Sequence, residues 1–383
     1  MLGKLLRIVL VNGIGLIAGL LLVEVILRVA TPFPVFEKSG FAKYHPILGM
    51  VTDPSFPEID PEGFRNPDPP AHPDLVALGA SATYGYNVTS YDSWPQVLGR
   101  LTGMSVYNYG IGGYNPLQFY WLMDAAVAKK PKVILVGLHV AKDMKDVCKL
   151  LVSNAYWIDW AARRSLDTTP CRDLSEAPVG EEGRDLGPTP LQRIKLAVRR
   201  TAIGSAIGTL VVDPYQDAAT RQPGPGTVFF QDGRNDTFVS RDYSIFIMNN
   251  SDTQAPWSDF AMKLTETLFL EMAEKAKAQG IGFAVVFFPT KNSVVKPYLE
   301  EAGYKLPVEF LKGVANETHL EAHFTEFFDK AGIPLVQPRP ALQTLMKNRS
   351  HVYPFRNDDH PLASGYAAIA QAVQQSLFSV KAP

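Results

Sequence analysis

The chain has 383 residues, 46% of them hydrophobic and 20% charged, with a formal net charge of −1. That near-neutral balance argues against nucleic acid as a partner, which calls for a strongly basic face. The length fits one large α/β domain with an insertion, or two smaller domains.

Ile8 to Leu27 is a run of twenty residues broken only by Asn12 and Glu24. As a helix rising about 1.5 Å per residue it spans about 30 Å, the depth of a bilayer's hydrocarbon core. Lys4 and Arg7 precede it, so the positive-inside rule keeps the N-terminus in the cytoplasm and sends the rest outward. A cleaved signal peptide is the competing reading, but the run is long for one, and Arg28 before Ala30 spoils a small-x-small cleavage site. The expectation is an uncleaved transmembrane anchor over residues 1–30. Thr31 to Asp74 is proline-rich without sustained periodicity and reads as an extended lead to the folded domain. Within it, Pro61-Glu62-Gly63-Phe64-Arg65 reads as a turn with one buried aromatic.

From Leu75 to the C-terminus the pattern is that of one α/β domain. Leu75 to Leu78 is a short apolar run, as in a buried parallel strand, followed by Gly79, Ala80 and Ser81 in a turn of small residues. Ligands of open α/β sheets gather at the carboxyl ends of strands, so Ser81 stands where a nucleophile is useful, although many such serines only cap a helix. Trp94 to Leu101 predicts a helix, Val106 to Tyr109 a second strand closed by a glycine-rich turn, and Pro116 to Ala128 a second helix. Lys132 to Leu138 predicts a central third strand. Such alternation is the signature of a doubly wound parallel sheet.

Residues 144–257 break the rhythm and read as an inserted cap beside the substrate pocket. Leu191 to Gly208 there predicts a helix with Arg193, Lys195, Arg199 and Arg200, a solvated face or one that touches anionic lipid. Cys148 and Cys171, the only cysteines, fall in the same segment; in an outward-facing domain a disulfide between them is expected. The sheet then resumes. Asp259 to Gln279 predicts a helix, Phe283 to Phe288 a fourth strand, Val308 to Lys330 a helix, Ile333 to Val336 a fifth strand and Arg339 to Lys347 a short helix. A terminal helix carries Leu362, Tyr366, Ile369, Val373 and Leu377. No zinc-type Cys/His spacing exists, and His319 and His323 lack an evident third ligand, so neither a metal nor a cofactor is implied.

Asn357-Asp358-Asp359-His360-Pro361 stands just ahead of that last helix, with a carboxylate two residues before a histidine. Together with the Ser81 turn and Asn108-Tyr109-Gly110-Ile111-Gly112-Gly113, it resembles the SGNH (GDSL-type) hydrolase superfamily. The bacterial branch with an N-terminal membrane anchor is the nearer likeness, including its Gly-Phe-Arg segment and the Glu24–Arg28 close of the anchor. The resemblance implies a three-layer α/β/α, flavodoxin-like fold with a mainly parallel five-stranded sheet, carried on one transmembrane helix. It implies Ser81 as nucleophile, His360 as base and Asp358 as its orienting acid, with Asp359 the second choice. The oxyanion donors would be the backbone N–H of Ser81 and of Gly113 and a third group where the family has Asn. That position is Lys142 here, and the family's Asp beside the serine is Ala80. The expected activity is a serine esterase of the cell envelope acting on an acylated carbohydrate or small ester, at the outer face of the inner membrane. The alternatives are an O-acyltransferase acting on envelope polysaccharide and a degenerate, glycan-binding relative.

Overall fold

The computed structural model describes residues 2–30, 42–54, 58–175, 203, 227–232, 235–348, 350–354 and 358–379. The chain divides into two compact units, residues 1–38 with 186–222, and residues 39–185 with 223–383. In the first, helix α1 (Leu2–Ala30) runs unbroken through the whole apolar stretch. The carboxylate of Glu24 accepts a hydrogen bond from the backbone N–H of Ile203 at 3.0 Å. Among the described residues no helix is long and apolar enough to cross a membrane; within α1, side chains are described for Arg7 and residues 11–26. The basic helix expected over Leu191–Gly208 lies outside the described residues except for Ile203.

The second unit is built on a five-stranded sheet of β3 (Leu75–Gly79), β4 (Val106–Asn108), β5 (Val133–Leu138), β8 (Gly282–Phe287) and β9 (Leu335–Val336). The order is β4-β3-β5-β8-β9, and every pair is parallel, with Leu75 opposite both Val106 and Val133, and Val133 opposite Gly282. Successive side chains point to opposite faces, and both faces are apolar. Val76, Leu78, Ile134, Val136, Val285 and Phe287 meet helices α4 (Pro116–Ala128), α8 (Ser258–Ala278) and α10 (Val308–Ala331). On the other face Leu75, Ala77, Leu135, Ala284 and Val286 meet α3 (Trp94–Thr102), α9 (Lys291–Glu301), α11 (Arg339–Lys347) and α12 (Ala363–Val373). This gives three layers. The chain leaves β3 toward β4 on one side and later returns to β5 on the other, so the carboxyl ends of β3 and β5 form the switch point where open sheets bind ligands.

Two segments are more structured than the sequence suggests. Residues 39–74 belong with the sheet: β1 (Ala42–His45) and β2 (Gly49–Thr52) form an antiparallel hairpin, where an extended lead was expected. The cap segment begins inside α5 (Val140–Ser153), continues into α6 (Ala155–Arg163), and resumes as the hairpin β6 (Val228–Asp232)–β7 (Asn235–Val239) and helix α7 (Arg241–Asn250). Cys148 on α5 is disulfide-bonded to Cys171.

Candidate active site

The turn after β3 has little room. A Cβ on Gly79 would stand 2.1 Å from Thr83 Oγ1, so the strand can pass into the four-residue helix α2 (Ser81–Tyr84) only through glycine. Gly85 ends that helix at φ +85°, a left-handed conformation that glycine adopts without strain. Ser81 therefore opens α2 at the carboxyl edge of the sheet. The neighbouring strand secures the turn from the side. Asn108, the last residue of β4, donates from Nδ2 to the carbonyl of Thr83 at 2.7 Å and accepts from the N–H of Gly110 at 2.8 Å. Gly110 packs so closely that a Cβ would lie 2.4 Å from the backbone nitrogen of Tyr84. Gly113, at φ +85°, closes the same glycine-rich turn. Among the described residues, neither its N–H nor that of Ser81 donates to a partner.

The loop ahead of α12 meets this turn. His360 Nε2 lies 2.7 Å from Ser81 Oγ, and Nδ1 lies 2.6 Å from Asp358 Oδ1. An ionised carboxylate only accepts, so Nδ1 carries the proton and Nε2 is left to accept from the serine hydroxyl; the tautomer is assigned from these partners. Asp358 also accepts from the backbone N–H of His360 at 2.9 Å. The ring of Tyr86 stacks on the imidazole with centroids 5.0 Å apart. Burial, and then the charge of Asp358, raises the Tyr86 hydroxyl above its ordinary pKa. Asn87, at φ +70°, donates from Nδ2 to the carbonyl of His360 at 3.0 Å and so ties the two loops directly.

Asp359 points the other way. Its carboxylate pairs with the ammonium of Lys142, on the first turn of α5, and stands 3.6 Å from His139 Nε2 and 3.7 Å from His360 Nδ1. Burial alone would raise this carboxyl; Lys142, then His139 and His360, hold it well below its ordinary value. Burial, and then Lys142, lowers the pKa of His139. At 3.6 Å the contact with Asp359 is too long for a hydrogen bond, and both ring nitrogens of His139 lack a partner among the described residues. Asp358, Asp359 and His360 lie close enough to share a cation. The Lys142 ammonium already supplies the positive charge there, and Asp358 is engaged by the imidazole.

Of the five residues expected from the sequence, the structure brings Ser81, His360 and Asp358 into one hydrogen-bonded chain and sets Gly113 on the adjoining turn. Lys142 sits at the carboxyl end of β5, but its ammonium is directed at Asp359. Of the histidine pair on α10, His323 Nε2 is paired with Glu266 at 2.7 Å.

Sequence reasoning left Arg65 without a role. Its guanidinium is 3% exposed and donates to the carbonyls of Gly85 at 2.8 Å and Val88 at 2.9 Å, with a longer contact to that of Tyr84 at 3.4 Å. It forks onto Glu58 Oε2 from Nε and Nη2 at 2.9 and 2.7 Å, and Glu58 Oε1 accepts from the Ser90 hydroxyl. The neighbouring Asn66 side chain copies a β-ladder on Asn108, donating to its carbonyl and accepting from its N–H. Phe64, the buried aromatic the sequence did suggest, packs edge-on against Tyr109. Residues 58–66 are thus a brace under the turn that carries Ser81. The one available signal was the Gly-Phe-Arg segment itself.

No family model matches the chain, and no curated protein matches it. Solved structures do. A protein from Desulfitobacterium hafniense assigned to the G-D-S-L lipolytic family is similar at 12% identity and a TM-score of 0.37, over 79% of this chain and 98% of that one. A member of the lipolytic G-D-S-L family from Veillonella parvula is similar at 10% and 0.35, over 80% and 98%. An acetylxylan esterase from Geobacillus stearothermophilus is similar at 9% and 0.36, over 80% and 94%. Likeness this distant assigns no chemistry, which has to come from the geometry of the site.

Proposed function

We propose that the protein is a serine-dependent acyl-ester hydrolase working through an acyl-enzyme. The observation that carries this reading is the unbroken chain from Ser81 Oγ to His360 Nε2 and from His360 Nδ1 to Asp358. A serine hydroxyl is a weak nucleophile at neutral pH and needs a base within hydrogen-bond reach. As Oγ attacks the ester carbonyl, its proton passes to Nε2, and Asp358 steadies the imidazolium that forms. The imidazolium then protonates the departing alcohol. A second oxygen nucleophile, water or a sugar hydroxyl, gives its proton to Nε2 as it attacks the acyl carbonyl, and Nε2 returns that proton to Ser81 Oγ as the acyl–oxygen bond breaks. The negative oxygen of each tetrahedral intermediate needs donors fixed in advance. The N–H groups of Ser81 and Gly113 are the candidates, since neither serves the fold among the described residues. Lys142, expected as a third donor, turns its ammonium to Asp359.

For the site's surroundings, we propose an acylated envelope carbohydrate or small ester as substrate and α1 as a membrane anchor. Support for the anchor comes from apolar side chains such as Val11, Leu16, Leu21 and Leu22, which are more than 60% exposed along α1, as a lipid-facing helix requires.

Ser81→Ala should abolish turnover of a simple aryl acetate and prevent labelling by a serine-directed phosphonate. His360→Ala should cost about as much, roughly 10⁴-fold or more in kcat, and the double variant little beyond either. A wild-type protein that neither labels nor turns over would support a glycan-binding protein instead.

A further inference from the structure

His360 faces two carboxylates, which is one more than a base of this kind needs. Asp358 Oδ1 is bonded to Nδ1 at 2.6 Å, and Asp359 Oδ1 stands 3.7 Å from the same nitrogen. Asp359 is 8% exposed, and a buried carboxylate persists as an anion only with a counter-charge and hydrogen bonds. With nothing to offset it, this second anion would favour the imidazolium, and a protonated base cannot take the proton of Ser81. Lys142 is the offset. Its ammonium lies on the other oxygen of Asp359, and it comes from α5, outside the His360 loop.

We infer that Lys142 is a positioning residue, which neutralises Asp359 and ties the His360 loop to the carboxyl end of β5. This rests on the acyl-ester reading above and deepens it: Lys142 works through Asp359 and His360, without touching the substrate. The group at the family's asparagine position has therefore moved from the oxyanion to the base. The charged and titratable groups around the pair come from several elements. Ser81, Tyr86 and Asp358 face the imidazole, and Lys142 of α5 and His139, just ahead of that helix, face Asp359. Tyr243 of α7 and Tyr366 of α12 lie within electrostatic reach of Asp359, and Glu317, Tyr353 and Arg65 act on those two phenols. Lys142 is the cation that Asp359 contacts.

The test reads His360 directly, so that it does not depend on turnover. In the full chain with labelled histidine, the imidazole of His360 is assigned by its loss in His360→Gln and titrated by NMR. Lys142→Met leaves Asp359 uncompensated and should raise the His360 midpoint by about one unit relative to wild type, a Coulomb term discounted for partial exposure. Asp359→Asn leaves Lys142 uncompensated and should lower the midpoint by a similar amount. The double variant removes both charges and should return near wild type, and it also covers the case in which a single variant fails to fold. In kcat/KM, the acid limb should follow the same three shifts. A Lys142→Met midpoint within about 0.2 units of wild type would overturn the inference. If kcat then also fell about 10²–10³-fold at every pH, Lys142 would be an oxyanion donor. Shifts as expected in a protein that turns over no ester would keep the brace and sink the esterase reading.

Discussion

The turn bearing Ser81 and the loop bearing His360 meet at 2.7 Å, yet they are held in different ways. Around Ser81 the holding contacts end on the main chain: Arg65 on the carbonyls of Gly85 and Val88, Asn108 on that of Thr83. The donors that reach those carbonyls are a guanidinium and an amide, neither of which titrates near neutral pH; the carboxylate of Glu58 stands behind them, on Arg65 and Ser90. Around His360 the contacts are between side chains that do titrate, Asp358 with the imidazole and Asp359 with Lys142. A nucleophile needs only a fixed place, whereas a base needs a place and a proton affinity. Under the proposed acyl-ester chemistry, the two halves of the site suit those two roles.

The comparison breaks most severely at Arg65. Arg65→Ala strands Glu58 and frees two loop carbonyls at once. Removing one partner of a buried pair costs about 3–5 kcal/mol, so the denaturation midpoint should fall sharply. Arg65→Lys separates stability from geometry, because an ammonium can answer Glu58 but cannot fork onto two carbonyls as well. We expect it to fold, with kcat reduced roughly tenfold, KM little changed and the acid limb of kcat/KM unmoved. Unchanged kcat in Arg65→Lys would mean that the clamp supports the fold and not the nucleophile.

How much of this could be read from sequence follows the same division. The strands at Leu75, Val133 and Gly282 were legible because a parallel strand covered on both faces becomes an unbroken apolar run. Ser81, Asp358 and His360 were legible because side-chain chemistry is written in residue identity. Arg65 was not, since what it holds at the turn is carbonyls, which every residue carries. The hairpin β1–β2 hid for a related reason: strands of four residues offer too few alternations to show a period. On paper Asp358 was preferred to Asp359 by the resemblance alone. The fold separates them, by 2.6 Å against 3.7 Å from the same ring nitrogen.

Acid sharpens the comparison from the other side. Asp359 is held well below its ordinary value of 3.8, chiefly by Lys142 working against burial. A carboxyl lowered by folding contributes stability that is complete above its unfolded pKa and disappears as pH falls through the folded one. The unfolding free energy of wild type should therefore drop as pH falls below about 4. The Lys142→Met, Asp359→Asn double variant should drop less over the same range, measured by urea titration at each pH. Parallel slopes would show that Asp359 adds nothing to acid sensitivity.

The smallest expected effect lies at a second bond between the two halves, beside that of His360 to Ser81. Asn87 Nδ2 donates to the carbonyl of His360 at 3.0 Å from a backbone at φ +70°. Alanine would confound two losses, since it removes the amide and also resists the left-handed conformation. Glycine keeps that conformation at no steric cost, so Asn87→Gly removes the side chain and its bond to His360 without straining the backbone. One hydrogen bond of this kind is worth about 1 kcal/mol, and stability should change by no more than that. Catalysis should respond through alignment: the His360 loop loses its direct tie to the Ser81 turn, and a few-fold fall in kcat with KM unchanged is expected. Asn87→Asp makes the complementary variant. A carboxylate cannot donate to the carbonyl of His360 and adds an anion beside the base, so it should reproduce the kcat loss and move the acid limb of kcat/KM upward. If Asn87→Gly and wild type were equal in kcat, the two loops would be held in register by their separate frames alone.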